Sequence, residues 1–239
     1  ALGIYAVAYR GLQILEQVLA KTGSVVALPA FSRLQGQPER LREAFYQSTR
    51  VASVIAMPVF VGVAMLAPAA IPFIFGDQYE QSGEVLGVLA LVGVVHSVSY
   101  LDYAVYVGVG RPDLVLKLLT VRTVANVILF VLVARWGIVA VAAAYVSRAY
   151  VLWPLNLFAL RLAADVSPRR YVVNLVPAVV ACLAMVFAIW AVSRLPLGGA
   201  SLVLTCVPVG AIVYLIALHW VAPGLVQDLS SKFRLFLRP

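Results

Sequence analysis

The chain has 239 residues, 63% hydrophobic and only 12% charged, with 18 lysines and arginines against 10 acids and a net charge of +8. Soluble domains usually carry about 25% charged and 45–50% apolar residues, so this composition, with a mean hydropathy of +0.99, excludes that class. The positive balance comes without a basic groove interleaved with exposed aromatics. It reads as cations decorating one end of membrane helices, not as a nucleic-acid surface.

Seven spans can be drawn in chain order: Leu2–Leu28, Val51–Phe75, Val85–Val107, Leu114–Ala134, Ile138–Leu160, Val172–Val192 and Leu202–Val221. Backbone in lipid must satisfy its own hydrogen bonds, which permits helices or closed barrels. These runs are far longer than the 9–11 residues of a barrel strand, so the expected fold is an all-α, polytopic transmembrane helix bundle. Turn signals separate the spans, among them Gly76-Asp77, Gly110-Arg111-Pro112 and Ser167-Pro168. Ala1 stands where a methionine would begin a chain, and no basic leader with a cleavage site precedes the first apolar run. That pattern predicts a fragment or processed product.

Charge sets the expected orientation. With the N-terminus outside, one set of loops holds Arg33, Arg40, Arg42, Arg50, Arg111, Lys117, Arg161, Arg169, Arg170, Lys232, Arg234 and Arg238. The opposite set holds only Arg135 and Arg194, with Asp77, Glu80 and Glu84. This asymmetry places the richer set in the cytoplasm. Residues 31–50 mix Leu34, Leu41 and Phe45 with arginines and glutamates, and predict a short amphipathic helix on the cytoplasmic surface, its arginines meeting anionic lipid headgroups. The tail at 227–239 repeats the basic pattern.

Polar groups inside the spans are costly and mark candidate sites. On the first span, Arg10, Gln13, Gln17, Lys21 and Ser24 fall within an arc of roughly 80°. Two cations and two glutamines on one stripe fit the wall of a hydrated path or an anion site; the alternative is interhelical hydrogen bonding, with Arg10 and Lys21 snorkelling to opposite surfaces. Glu16 points about 120° away from Arg10 and belongs to another contact. On the third span Asp102 is placed to pair with Arg122 or Arg148, or to carry a coupling proton, and His96 is a second titratable candidate. Arg122 shares a face of the fourth span with Asn126. Arg148, near the middle of the fifth, is the cation hardest to explain by snorkelling to a surface. Prolines 58, 68, 72, 154, 177 and 208 bend or interrupt helices. Gly62, Gly87, Gly93 and the run at 139–144 favour close helix packing. Cys182 and Cys206 sit in apolar runs, and no metal cluster or P-loop is present in the sequence. No nucleophile–base arrangement recurs at a membrane surface, so neither an enzyme nor a cofactor is expected.

The order Leu2-Gly3-Ile4-Tyr5-Ala6-Val7-Ala8-Tyr9-Arg10, then Leu28-Pro29-Ala30-Phe31-Ser32-Arg33-Leu34-Gln35, Glu39-Arg40-Leu41-Arg42, Ile74-Phe75-Gly76-Asp77-Gln78-Tyr79 and Val109-Gly110-Arg111-Pro112 is distinctive. It resembles the later half of bacterial polysaccharide exporters, the oligosaccharide-lipid flippases of the multidrug/oligosaccharidyl-lipid/polysaccharide exporter superfamily. The resemblance covers the chain to about Leu160. It implies helices 8–14 of a two-lobed fold: a partial second lobe at 1–160, two additional helices at 161–226 and a cytoplasmic tail at 227–239, with a first lobe as partner. The implied activity is movement of a diphosphate-polyprenol-linked glycan between leaflets of the cytoplasmic membrane by alternating access, beside glycan polymerase or ligase machinery. Arg10, Gln13, Gln17, Lys21, Arg122 and Arg148 are the candidate substrate contacts. Drug or small-cation efflux, a membrane enzyme and a scaffold of glycan assembly are the alternatives.

Overall fold

The computed structural model describes residues 2–21, 29, 31–34, 36–196 and 198–224. Seven α-helices account for almost all of them. They are α1 Leu2–Glu16, α2 Pro38–Phe75, α3 Glu80–Gly108, α4 Pro112–Val133, α5 Ile138–Ala164, α6 Pro168–Ser193 and α7 Gly199–Val221. Helices α2 to α7 are each long and apolar enough to cross a membrane. Helix α1 runs into a π-helical turn, Gln17–Lys21, and residues 22–28, the rest of the first expected span, lie outside the described residues. The protein is a multi-pass membrane helix bundle.

The centre is a hairpin of α2 and α3. Helix α2 stops where Gly76 takes φ 98°, a conformation that favours glycine, and its N–H donates to the Pro72 carbonyl. A short 3₁₀ turn, Asp77–Tyr79, leads into α3. The two helices approach closely along a seam of small residues. A Cβ on Gly83 would stand 2.7 Å from the Ala67 carbonyl oxygen, and one on Gly87 3.0 Å from that of Ala64. A Cβ on Gly93 would lie 2.1 Å from the Phe60 ring. Gly87 and Gly93 thus act as the sequence suggested, whereas Gly62 has open space beside it and Gly83 joins the seam unforeseen. Around the hairpin, α1 and α5 pack on α3, α4 packs on α5, and α6 and α7 pack on α2.

Helix α2 is 38 residues long, about 57 Å at 1.5 Å per residue, against about 30 Å of hydrocarbon. Its first turns are the basic segment expected to form a separate interfacial helix. In the structure that segment from Pro38 onward is continuous with the span. Leu41 and Phe45 are buried against protein, with the Phe45 ring stacked 5.7 Å from Tyr171 and edge-on to Phe31 at 6.3 Å. Arg40 and Glu39 remain on the exposed side. Packing explains the difference, because the apolar face meets α6 before it can meet lipid.

Cross-links gather the basic connections at one end of the bundle. Arg42 reaches Asp165 at 3.5 Å, and Arg170 reaches Glu43 at 2.6 Å. Tyr46 accepts a hydrogen bond from the Ser167 amide, and Arg170 lies 4.4 Å from the Tyr46 ring centre. The α3–α4 turn joins them, with Gly108 packed against Phe31.

All six expected span prolines lie inside helices. Pro58 has no amide proton for the carbonyl four residues back, that of Val54. The Tyr214 hydroxyl of α7 donates to that carbonyl at 2.7 Å. Tyr214→Phe should therefore lower the thermal midpoint of the purified protein, at a cost of about 1–3 kcal/mol for the buried carbonyl left unpaired. A midpoint equal to wild type would show that the bond contributes nothing net.

Candidate functional site

Two groups of polar residues meet on α3. The first joins α1. Glu16 accepts a hydrogen bond from, or pairs with, His96 Nδ1 at 2.6 Å, and its other carboxylate oxygen accepts from Tyr100 Oη at 3.1 Å. The His96 and Tyr100 rings meet edge to face at 6.0 Å. This is the separate contact that the angular position of Glu16 anticipated. It fixes the last residue of α1 to the middle of α3, where an acid in hydrocarbon needs compensation.

The second group is centred on Asn156 of α5, which is 1% exposed. Its Nδ2 donates to Asp102 of α3, which is equally buried. Its Oδ1 accepts from Tyr106 Oη at 3.0 Å and from Arg122 Nη2 of α4 at 3.2 Å. Tyr106 also reaches the Asn156 backbone carbonyl at 3.1 Å. Arg148 donates from Nη1 to the Arg122 carbonyl at 3.1 Å, and its guanidinium lies 4.7 Å from the Tyr145 ring centre. Three helices are thereby locked through one amide.

Among the described residues no ion pair joins Asp102 directly to Arg122 or Arg148; Asn156 stands between acid and cation. The direct pairing expected from sequence is thus replaced by an amide relay. An asparagine can do this because it carries both a donor and an acceptor end. Asn156 was not among the candidates, although one signal was legible. It lies eight residues after Arg148, roughly 80° around the same helix, and is the lone amide in an apolar span.

The candidate cations separate into two places. Arg122 and Arg148 both line a cavity of about 30 Å³ with His96, Ser99 and Trp153. Arg122 also lines a larger cavity of about 380 Å³ with Asp102, Tyr103, Tyr106 and Asn156. Arg10 is instead exposed at a different cavity of about 530 Å³ formed by α1, α2 and α3. That cavity shares Gly11, Ile14, Ile71 and Leu86 with an apolar groove of about 750 Å³, which continues between α1, α2 and α7. Gln13 is half-buried and Gln17 exposed on α1. The Lys21 backbone closes the π-helical turn, and its side chain, with Ser24, lies outside the described residues. Asn126 is half-buried on α4. No group of three or more histidine, cysteine or acidic residues able to hold a metal occurs among the described residues.

Residues 1–84 match a family described as "Polysaccharide biosynthesis protein". The teichuronic acid biosynthesis protein TuaB of Bacillus subtilis is 29% identical over 114 residues, covering 48% of this chain and 24% of that protein. The lipopolysaccharide biosynthesis protein WzxC of Escherichia coli is 27% identical over 121 residues, covering 51% and 25%. The succinoglycan biosynthesis transport protein ExoT of Rhizobium meliloti is 35% identical over 89 residues, covering 37% and 18%. The chain therefore spans about a quarter or less of these relatives. The fold is shared with the lipid II flippase MurJ in its inward closed conformation, at a TM-score of 0.75 and 15% identity, covering 94% of this chain and 48% of that one. The chain is thus similar in its first part to polysaccharide biosynthesis proteins and shares its helical fold with a lipid II flippase.

Proposed function

We propose that the protein carrying this chain moves a polyprenol-diphosphate-linked glycan from the cytoplasmic to the periplasmic leaflet by alternating access. The carrying observation is the junction of two surfaces on α1. A long apolar groove between α1, α2 and α7 runs into the cavity edged by Arg10. An amphipathic ligand with a polyprenyl chain and an anionic head matches that pairing. The guanidinium of Arg10 offers forked donors to diphosphate oxygens, while Gln13 and Gln17 offer amides to sugar hydroxyls. Arg122, which also lines the cavity of about 380 Å³, makes a second cationic station inside the same lobe. No covalent bond changes in this process.

The gathered basic connections would face the cytoplasm and anionic lipids there, with α1 entering from the periplasm. Asp102, buried and joined to Arg122 only through Asn156, is the acid best placed to carry a coupling proton, with His96 and Glu16 one layer away. The missing partner surface would be supplied by a first lobe, and the exported glycan would pass to polymerase or ligase machinery. Cations at both stations disfavour efflux of small cations, which would meet repulsion rather than a counter-charge.

Arg10→Gln in the full-length protein should cut glycan export about tenfold or more, as the loss of a hydrogen bond of about 1.5–3 kcal/mol to a charged group implies. Membrane abundance should stay at wild-type levels, since Arg10 is exposed and edges a cavity. Undiminished export at equal abundance would remove Arg10 from the substrate path.

A further inference from the structure

We infer that the small cavity between α3, α4 and α5 is a binding site for a single monatomic anion, chloride under ordinary conditions. The cavity measures about 30 Å³ and is lined by His96, Ser99, Arg122, Arg148 and Trp153, with Val95, Ala149 and Leu152 as apolar walls. A cavity of this size holds one small species. Phosphate and sulfate are too large, which separates this site from any that accepts a diphosphate.

The lining is rich in donors and has no carboxylate. Arg148 Nε and Ser99 Oγ are both buried without a hydrogen-bond partner, although Arg148 spends Nη1 on the Arg122 carbonyl. Arg122 spends Nη2 on Asn156, and its guanidinium has further N–H groups to offer. Buried donors left without acceptors are costly, and donors on a charged group more so. A halide accepts from every direction at once. Water in the same place would have to give its two protons away, and only the Ser99 hydroxyl and the His96 ring could take them.

Charge balance points the same way. Arg122 and Arg148 bring two cations into the interior of the bundle. Asp102 offsets one of them through Asn156. Glu16 is engaged with His96 at 2.6 Å and Tyr100 at 3.1 Å, so it is committed elsewhere. Neither acid lines the cavity, so an anion there would meet two guanidinium groups and no carboxylate. Uncompensated charge in this environment is expensive. The anion would thus hold α3, α4 and α5 together from inside the lobe, as Asn156 does one helical turn away.

The test uses the purified full-length protein and does not depend on glycan export, so it stands apart from the transport reading. Its thermal midpoint should rise saturably as chloride replaces gluconate at constant ionic strength, and bromide should substitute for chloride. Ser99→Ala, which keeps every charge, should weaken the apparent chloride affinity about tenfold, the equivalent of one hydrogen bond. Arg148→Gln should abolish the response; if that variant fails to fold, Ser99→Ala carries the comparison. Crystals grown with bromide should show an anomalous peak between Ser99 and Arg148. Equal midpoints in chloride and gluconate, a Ser99→Ala titration identical to wild type, or a water without anomalous signal at that point would each overturn the assignment. Phosphate competing as well as bromide would overturn the monatomic anion.

Discussion

Gly93→Val should leave little or no folded protein in the membrane. The first atom of any side chain at this position would sit 2.1–2.5 Å from three carbons of the Phe60 ring. Phe60 is fully buried, with no flexible end to swing aside. Overpacking a well-filled core ordinarily costs about 1–3 kcal/mol; here the clash falls on the crossing of α2 and α3, onto which α1, α5, α6 and α7 all pack. Relief would require the central hairpin to open. Comparison of monodisperse, detergent-extracted yield between wild type and variant is the measurement. Phe60→Ala combined with Gly93→Val should restore part of the yield, because it removes the ring that the new side chain strikes. Wild-type yield from Gly93→Val alone would show that the seam is looser than its geometry.

Asn156→Leu should be nearly as damaging, for an electrostatic reason. The substitution is close in size but strips the partner from Asp102 and Arg122 and the side-chain acceptor from Tyr106 at once. One oxygen of Asp102, Oδ1, already lacks a partner; the change would leave the whole carboxylate bare at 1% exposure. Breaking a buried charged arrangement by removing one partner costs about 3–5 kcal/mol. The thermal midpoint should fall accordingly, and export with it. The double variant Asp102→Leu, Asn156→Leu should recover midpoint relative to Asn156→Leu, since it also removes the stranded acid. If the proton-coupling reading is right, that double variant should still export nothing. Export by a stable protein lacking Asp102 would leave the acid a purely structural part.

These two sites differ in how far they could be read in advance. Gly93 was visible as a small residue in a span, a type that lets helices approach closely. Its severity was not visible, because Gly62 looks the same in sequence and has open space beside it. The difference lies in which residue of the neighbouring helix arrives opposite. Asp102, Arg122 and Arg148 stood out because charge in hydrocarbon is rare. Their hub, Asn156, carries no charge and did not stand out.

Helix formation and membrane residence were determined by sequence alone. Long uncharged runs leave the backbone no hydrogen-bonding solvent, so it must bond to itself. The alternation of basic and neutral connections was equally plain, and the structure gathers the basic ones at one end through Arg42, Asp165, Glu43 and Arg170. The boundary of α2 was not so determined. An amphipathic segment can lie on a membrane or continue a span, and the burial of Leu41 and Phe45 against Tyr171 and its neighbours decides for continuation. Nor could spacing along one helix show that Arg10 opens on one cavity while Arg122 and Arg148 share another. Periodicity assigns a residue to a face of its own helix; which helix covers that face is a property of three-dimensional packing.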